Sequence, residues 1–135
     1  MNAALERTIL AAHPRLYRNL RPRFDDGQHF ECGDGWGLIL EELSTGLDPY
    51  AATDGVMITQ VKQKLGSLTV YVELDGHDWS ERAELSEYID RWKNLASEKS
   101  NCTCEVCGAP GKMRGRPFRF MQALCEACWV VHRHE

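Results

Sequence analysis

Cys104-Glu105-Val106-Cys107-Gly108 and Leu124-Cys125-Glu126-Ala127-Cys128 decide how this chain folds: they are two Cys-x-x-Cys pairs with seventeen residues between Cys107 and Cys125. That spacing lies within the range of four-cysteine zinc sites. Two residues between cysteines let a tight turn aim both sulfurs at one point about 2.3 Å away, and Gly108 lets backbone amides come close to them. Cys104, Cys107, Cys125 and Cys128 would complete a tetrahedron around one Zn²⁺ and leave no position for water. The spacing therefore predicts a structural ion, not one that activates a nucleophile. Between the pairs, Pro110-Gly111 and Gly115-Arg116-Pro117 are turn signals, while Phe118, Phe120 and Leu124 are apolar residues suited to a short hairpin. With a helix from Cys125 to His132, the expected shape is a treble clef: knuckle, hairpin, then the second pair at a helix start, where the N-terminus favours thiolate charge. A zinc ribbon, with the second pair on a knuckle, is the alternative. Cys102, His132 and His134 are further donors able to enlarge or replace the ligand set, and Cys32 reads as a buried or partly buried free thiol. A redox Cys-x-x-Cys usually occurs once, beside a βαβ pattern that is missing here.

Outward from the finger, the sequence reads as an α+β body over residues 1–100 with the finger, 101–135, packed on it. Leu5, Ile9 and Ala12 mark a helix from Ala3 to Ala12, stopped by His13-Pro14. A second short helix restarts at Pro14 and carries Leu16, Tyr17 and Leu20. Phe24 to Gly37 is rich in turn formers, with Asp34 the expected cap of a following helix. That helix has Trp36, Ile39, Leu40, Leu43 and Leu47 on its apolar face and runs to about Gly46 or Asp48-Pro49. Val56, Ile58, Leu68, Val70, Val72 and Leu74 alternate as a β-hairpin with its turn at Gly66-Ser67. Its first arm also fits a helical stripe through Met57, Val61 and Leu65. Asp78 and Glu81 resemble a capping box that opens a helix with the face Leu85, Ile89, Trp92 and Ala96, packed on the sheet.

Charge is divided along the chain. Residues 1–98 hold 10 Lys+Arg against 17 Asp+Glu, net −7, whereas residues 99–135 hold 6 against 3, net +3. The longest apolar runs, such as Val70-Tyr71-Val72, fall far short of a membrane span, and the start lacks the layout of a secretory signal, so a cytoplasmic protein is expected. Disulfides rarely persist in that compartment, which favours metal for the cysteines. Arg15, Arg18, Arg21 and Arg23 form a basic edge able to contact phosphate or an acidic partner, or simply a solvated face. Lys112, Arg114, Arg116 and Arg119 fall in the finger's connecting loop, where they offset the negative charge of a zinc–thiolate centre or meet nucleic acid.

Three stretches together, Gly33-Asp34-Gly35-Trp36, Gln60-Val61-Lys62-Gln63-Lys64-Leu65-Gly66-Ser67-Leu68, and the finger with Cys104–Gly111 and Leu124–Cys128, resemble a family of small uncharacterised bacterial and phage-borne proteins. The resemblance spans about residues 30–128 and implies a zinc finger and a cytoplasmic, mobile-element or phage setting, with no activity to transfer. Lys62 and Lys64 would share one strand face and could contact phosphate, while the plainer reading of Gly66 is that it serves the turn.

No nucleophile with a partnered base, phosphate-cradling loop or open metal site stands out. Gly33–Gly37 lacks the Lys-Ser/Thr ending of a phosphate loop. His29 and His77 near Asp25, Asp26, Asp75 and Asp78 could form a second metal site, the feature a hydrolase would need. The leading expectation is a non-catalytic, zinc-stabilised adaptor or inhibitor that binds another protein, its acidic first two-thirds facing a basic partner, as a phage protein countering a host system would. A nucleic-acid-binding finger protein is the alternative.

Overall fold

A computed structural model describes residues 1–22, 27–76, 78–116 and 119–132, the side chains at 116, 119 and 132 excepted. The readings that fall on Arg23, Phe24, Asp25, Asp26, His77, Pro117, Phe118 and His134, and on the side chains of Arg116, Arg119 and His132, lie outside the described residues. The mixed α+β class is as the sequence predicts. Asn2 caps α1 (Ala3–Ala12) by accepting from Leu5 N at 2.8 Å. The face α1 buries carries Ile9 and also Glu6. Glu6 is tolerated there because its carboxylate accepts from the backbone N–H groups of His29 and Phe30.

After Pro14 the chain makes a series of turns instead of the expected short helix: Tyr17 N bonds His13 O, and Leu20 N bonds Tyr17 O. Leu16, Tyr17 and Leu20 are nonetheless buried, so apolar spacing survives without a continuous run of helical hydrogen bonds. His13 Nε2 lies 2.7 Å from Glu41 Oε1 while Nδ1 faces Asp48 Oδ2 at 3.5 Å, tying this segment to the next helix.

Asp34 does not cap that helix. It opens a 3-10 turn, Asp34–Trp36, and its carboxylate accepts from Asn2 N and Nδ2 at 2.6 and 2.8 Å. Helix α2 (Gly37–Asp54) then runs past both expected stops, with Pro49 inside it, because Leu47 and Ala51 are buried on the same face beyond Gly46.

The sheet has the order β1-β2-β3: β1 (Phe30–Glu31) is parallel to β2 (Val56–Lys64), which is antiparallel to β3 (Ser67–Leu74). The first hairpin arm is thus a strand. A bulge between Ile58 and Gln60 resets the alternation, so Val56 and Ile58 before it and Val61 after it all reach the core. Lys64 pairs with Ser67, leaving Leu65 and Gly66 as a two-residue turn with φ of 52° and 86°.

Asp78 caps a second 3-10 turn, Trp79–Glu81, and α3 (Ala83–Asn101) starts only after it. Leu85, Ile89 and Ala96 are buried, and α3 packs on β3 and α2. The finger follows without a linker: β4 (Lys112–Arg116), β5 (Arg119–Leu124) and α4 (Glu126–His132). Among the described residues no helix is long and apolar enough to cross a membrane.

Candidate metal centre

The metal centre begins where α3 ends. Cys104 N donates to Ala109 O at 2.7 Å and Gly108 N to Cys104 O at 2.9 Å, closing the knuckle that carries Cys104 and Cys107. The β4-β5 hairpin pairs Lys112 with Leu124 at its base and delivers Cys125 directly after β5. Cys125 occupies the cap of α4: Trp129 N donates to its carbonyl at 2.9 Å and Cys128 N to its Sγ at 3.4 Å. The sulfur thus takes the place of a capping oxygen. Knuckle, hairpin, then second pair at a helix start is the treble-clef order, not the ribbon's second knuckle.

The four Sγ atoms of Cys104, Cys107, Cys125 and Cys128 all lie within 4.8 Å of one another. Cys107 Sγ and Cys125 Sγ are 3.7 Å apart, against an edge of about 3.8 Å for a tetrahedron built on metal–sulfur bonds of about 2.3 Å. The set can hold one metal ion. Burial would raise the Cys104 thiol, but backbone N–H groups of Cys125, Cys107 and Val106 bring it down to about 6. Hydrogen bonding to Cys125, then burial, pushes Cys128 up to about 12. A cation among them would displace the remaining protons. Cys102 is exposed, its Sγ directed at the Glu98 and Lys99 carbonyls, and stays apart from the cluster. Cys32 is buried. Among the described residues no second metal-ligating group forms, and His29 Nδ1 lies 3.4 Å from Glu6 Oε1.

Two of the stretches that carried the resemblance, read from sequence as a helix cap and a turn, also hold the finger in place. Gly35 N donates to Glu105 O at 2.7 Å, Gly33 N to Glu105 Oε2 at 2.9 Å, and Trp36 Nε1 to Thr103 O at 3.0 Å. A Cβ on Gly35 would stand 2.0 Å from Cys104 O, so only glycine lets this loop lie on the knuckle. At the hairpin, Gln63 Nε2 donates to Met121 O at 3.1 Å and Gly66 faces Met113. Glu105, buried, also accepts from Gln122 Nε2. Phe120, expected in the finger's apolar set, is 85% exposed, whereas Leu124 is buried.

The basic residues divide into two groups. Arg18 donates to the carbonyls of Arg15, Gly55 and Val56 and pairs with Asp75 at 3.7 Å. Arg114 donates to Leu124 O, pairs with Glu126 at 3.2 Å and lies over the Trp129 ring. Arg15, Lys64 and Lys112 are exposed, and Lys62 is half-buried over the Tyr71 ring at 5.4 Å.

A cleft that sequence reasoning missed lies at the other end of α3. Tyr50, Asp54, Glu84, Glu87, Tyr88 and Arg91 are among the residues around its volume of about 660 Å³. In the sequence Tyr88 lies beside the Leu85–Ile89–Trp92–Ala96 stripe and Tyr50 follows the expected stop at Asp48-Pro49, so nothing local joins them. Comparison of the chain with protein-family models, with curated proteins and with solved structures finds no match in any of the three, and of the motif resemblance the part that stands is the four-cysteine cluster at the C-terminal end.

Proposed function

We propose that this protein is a non-catalytic adaptor or inhibitor, stabilised by one structural Zn²⁺ on Cys104, Cys107, Cys125 and Cys128, that works by binding another protein. Four thiolates fill a tetrahedral coordination shell, so the ion would serve the fold and leave recognition to the surface. The observation that carries the reading is how the charges are used. Arg18 and Arg114, two of the cations the sequence offers for phosphate, are occupied within the fold. Carboxylates and aromatic rings instead line an open cleft on the acidic body. Reduced thiolates suit the cytoplasm, where a phage or mobile-element product would meet a host protein.

The experiment is affinity capture from a bacterial lysate with metal analysis of the same sample. One zinc per chain and a protein partner held at moderate salt are expected. A metal-free, fully folded chain that retains no protein would overturn the reading. Nucleic-acid binding is the second reading, favoured by Lys62 stacked on Tyr71 with Lys64 two residues along the same strand. It predicts oligonucleotide binding at low salt that weakens steeply as salt rises.

A further inference from the structure

The cleft at the N-terminal end of α3 is built from fixed rings. Tyr50 and Tyr88 are 5.0 Å apart between centroids, and Tyr88 and Trp92 are 6.4 Å apart, edge to face. Tyr88 Oη donates to Gly46 O at 3.3 Å. Trp92 lies flat against Gly46, where a Cβ would come 2.4 Å from the indole. Such rings are already in place before a ligand arrives, which lowers the entropy lost on binding.

The charge around them is unbalanced. Asp54 is bonded to Arg82 and to Thr53, which hold its carboxyl below the usual range, the Thr53 hydroxyl most of all. That leaves Glu81, Glu84 and Glu87, all exposed, with Arg91 the one further guanidinium among the described residues that line the cleft. Tyr88 and Arg91 also border a shallower hollow of about 150 Å³ whose other walls are Trp92 and Leu95, the latter 40% exposed. Acidic cleft and apolar step thus form one track along α3. From Glu84 to Leu95 it measures about 16 Å along the helix, the length of about five extended residues.

We propose that this track is the docking site for a basic segment of a partner protein. An arginine would sit between the Tyr50–Tyr88 rings and the Glu84 and Glu87 carboxylates, and a following apolar side chain would rest on Trp92 and Leu95. Arginine fits better than lysine because a planar guanidinium both stacks on a ring and takes a carboxylate with two parallel hydrogen bonds. Three carboxylates repel a phosphate backbone, so nucleic acid is the wrong partner for this face. The inference rests on the protein-binding reading above and names the surface and the partner's chemistry.

The test uses a short labelled peptide with two arginines followed by a leucine, and its counterpart with citrulline in place of arginine, titrated into the whole zinc-loaded protein and followed by fluorescence anisotropy. Parent protein and Glu73→Gln, a carboxylate on β3 outside the cleft, are expected to bind the arginine peptide. Glu84→Gln/Glu87→Gln should weaken it about tenfold or more, and the citrulline peptide should bind no variant. All these substitutions are at exposed positions, and unchanged melting curves would show that folding is intact. Failure of the parent to bind the arginine peptide, equal binding by the double variant, or displacement of the peptide by an oligonucleotide would overturn the inference. Lysate capture separates the two levels. Proteins retained equally by parent and double variant overturn the cleft while leaving the protein-binding reading in place, and retention by neither overturns both.

Discussion

Gly35 shows how one residue can be fixed by a contact remote in sequence. A Cβ there would meet Cys104 O at 2.0 Å and Gly108 N at 2.6 Å, both backbone atoms that no rotamer change can move aside. Gly35→Ala should therefore lift the loop off the knuckle and cost at least the ~1–3 kcal/mol typical of overpacking, read as a lower urea midpoint together with weaker metal retention against a chelator. A variant as stable and as tight for metal as the parent would refute this. The sequence marks Gly33–Gly37 as a turn, but the reason for glycine lies about seventy residues away and has no local signature. Cysteine reactivity is settled at the same scale. Burial first, then the nearby Glu105 charge, pushes Cys32 up to about 12. A cysteine in the unfolded chain ionises near ~8.5. Because the folded chain holds this proton more tightly, the stabilisation is complete below the unfolded value and is lost as pH rises through the interval up to about 12. In the zinc-loaded protein at neutral pH, iodoacetamide should alkylate exposed Cys102 first and Cys32 only on unfolding. Mass spectrometry giving equal labelling rates would contradict the buried placement.

The elements that were legible are those whose apolar spacing coincides with their hydrogen bonding. Helix α1 has its expected ends, β3 alternates, and α3 buries Leu85, Ile89 and Ala96 as its stripe predicts. Elsewhere tertiary contacts overrode local signals. Strand β1 is two residues long and has no period to read. The segment after Pro14 buries its apolar residues through turns, and α2 ignores Pro49 because burial beyond it outweighs the lost hydrogen bond. The two cysteine pairs, by contrast, pointed directly to the four-cysteine cluster, since the spacing of thiolate donors for a metal follows from coordination geometry and not from the rest of the fold. The β2-β3 turn offers a sharp test of element-level strain. Leu65 is held at φ 52°, is 60% exposed, and so combines a left-handed backbone with little burial. Leu65→Asn, giving the Asn-Gly pair preferred in this turn, should stabilise the protein by about 1 kcal/mol. Urea denaturation should show a higher midpoint with unchanged slope. A lower midpoint would mean that Leu65 packs on the neighbouring hairpin strongly enough to exceed the strain.

At the scale of the molecule, the finger and the body share hydrogen bonds that neither can replace alone. Carbonyls of Thr103 and Glu105 satisfy Trp36 Nε1 and Gly35 N, while Ser100 Oγ accepts from Leu68 N at 2.9 Å and joins the end of α3 to the sheet. If the knuckle loosens, those donors lose their partners in the interior, and each orphaned group costs about 1–3 kcal/mol. Removing the metal should thus destabilise more than the last third of the chain. Structural zinc contributes about 10–16 kcal/mol of apparent binding energy in isolated fingers, part of it folding energy. Cys104→Ser or Cys125→Ser should consequently lower overall stability by on the order of several kcal/mol. Strong chelator should shift the main melting transition downward as one step and move Trp36, fully buried in the intact fold, toward water, seen as red-shifted emission. A finger that served only itself would instead melt separately, leaving the far-ultraviolet circular dichroism of the body and its transition temperature where they were. That result would detach the two parts and remove the structural role proposed for the metal in supporting the body.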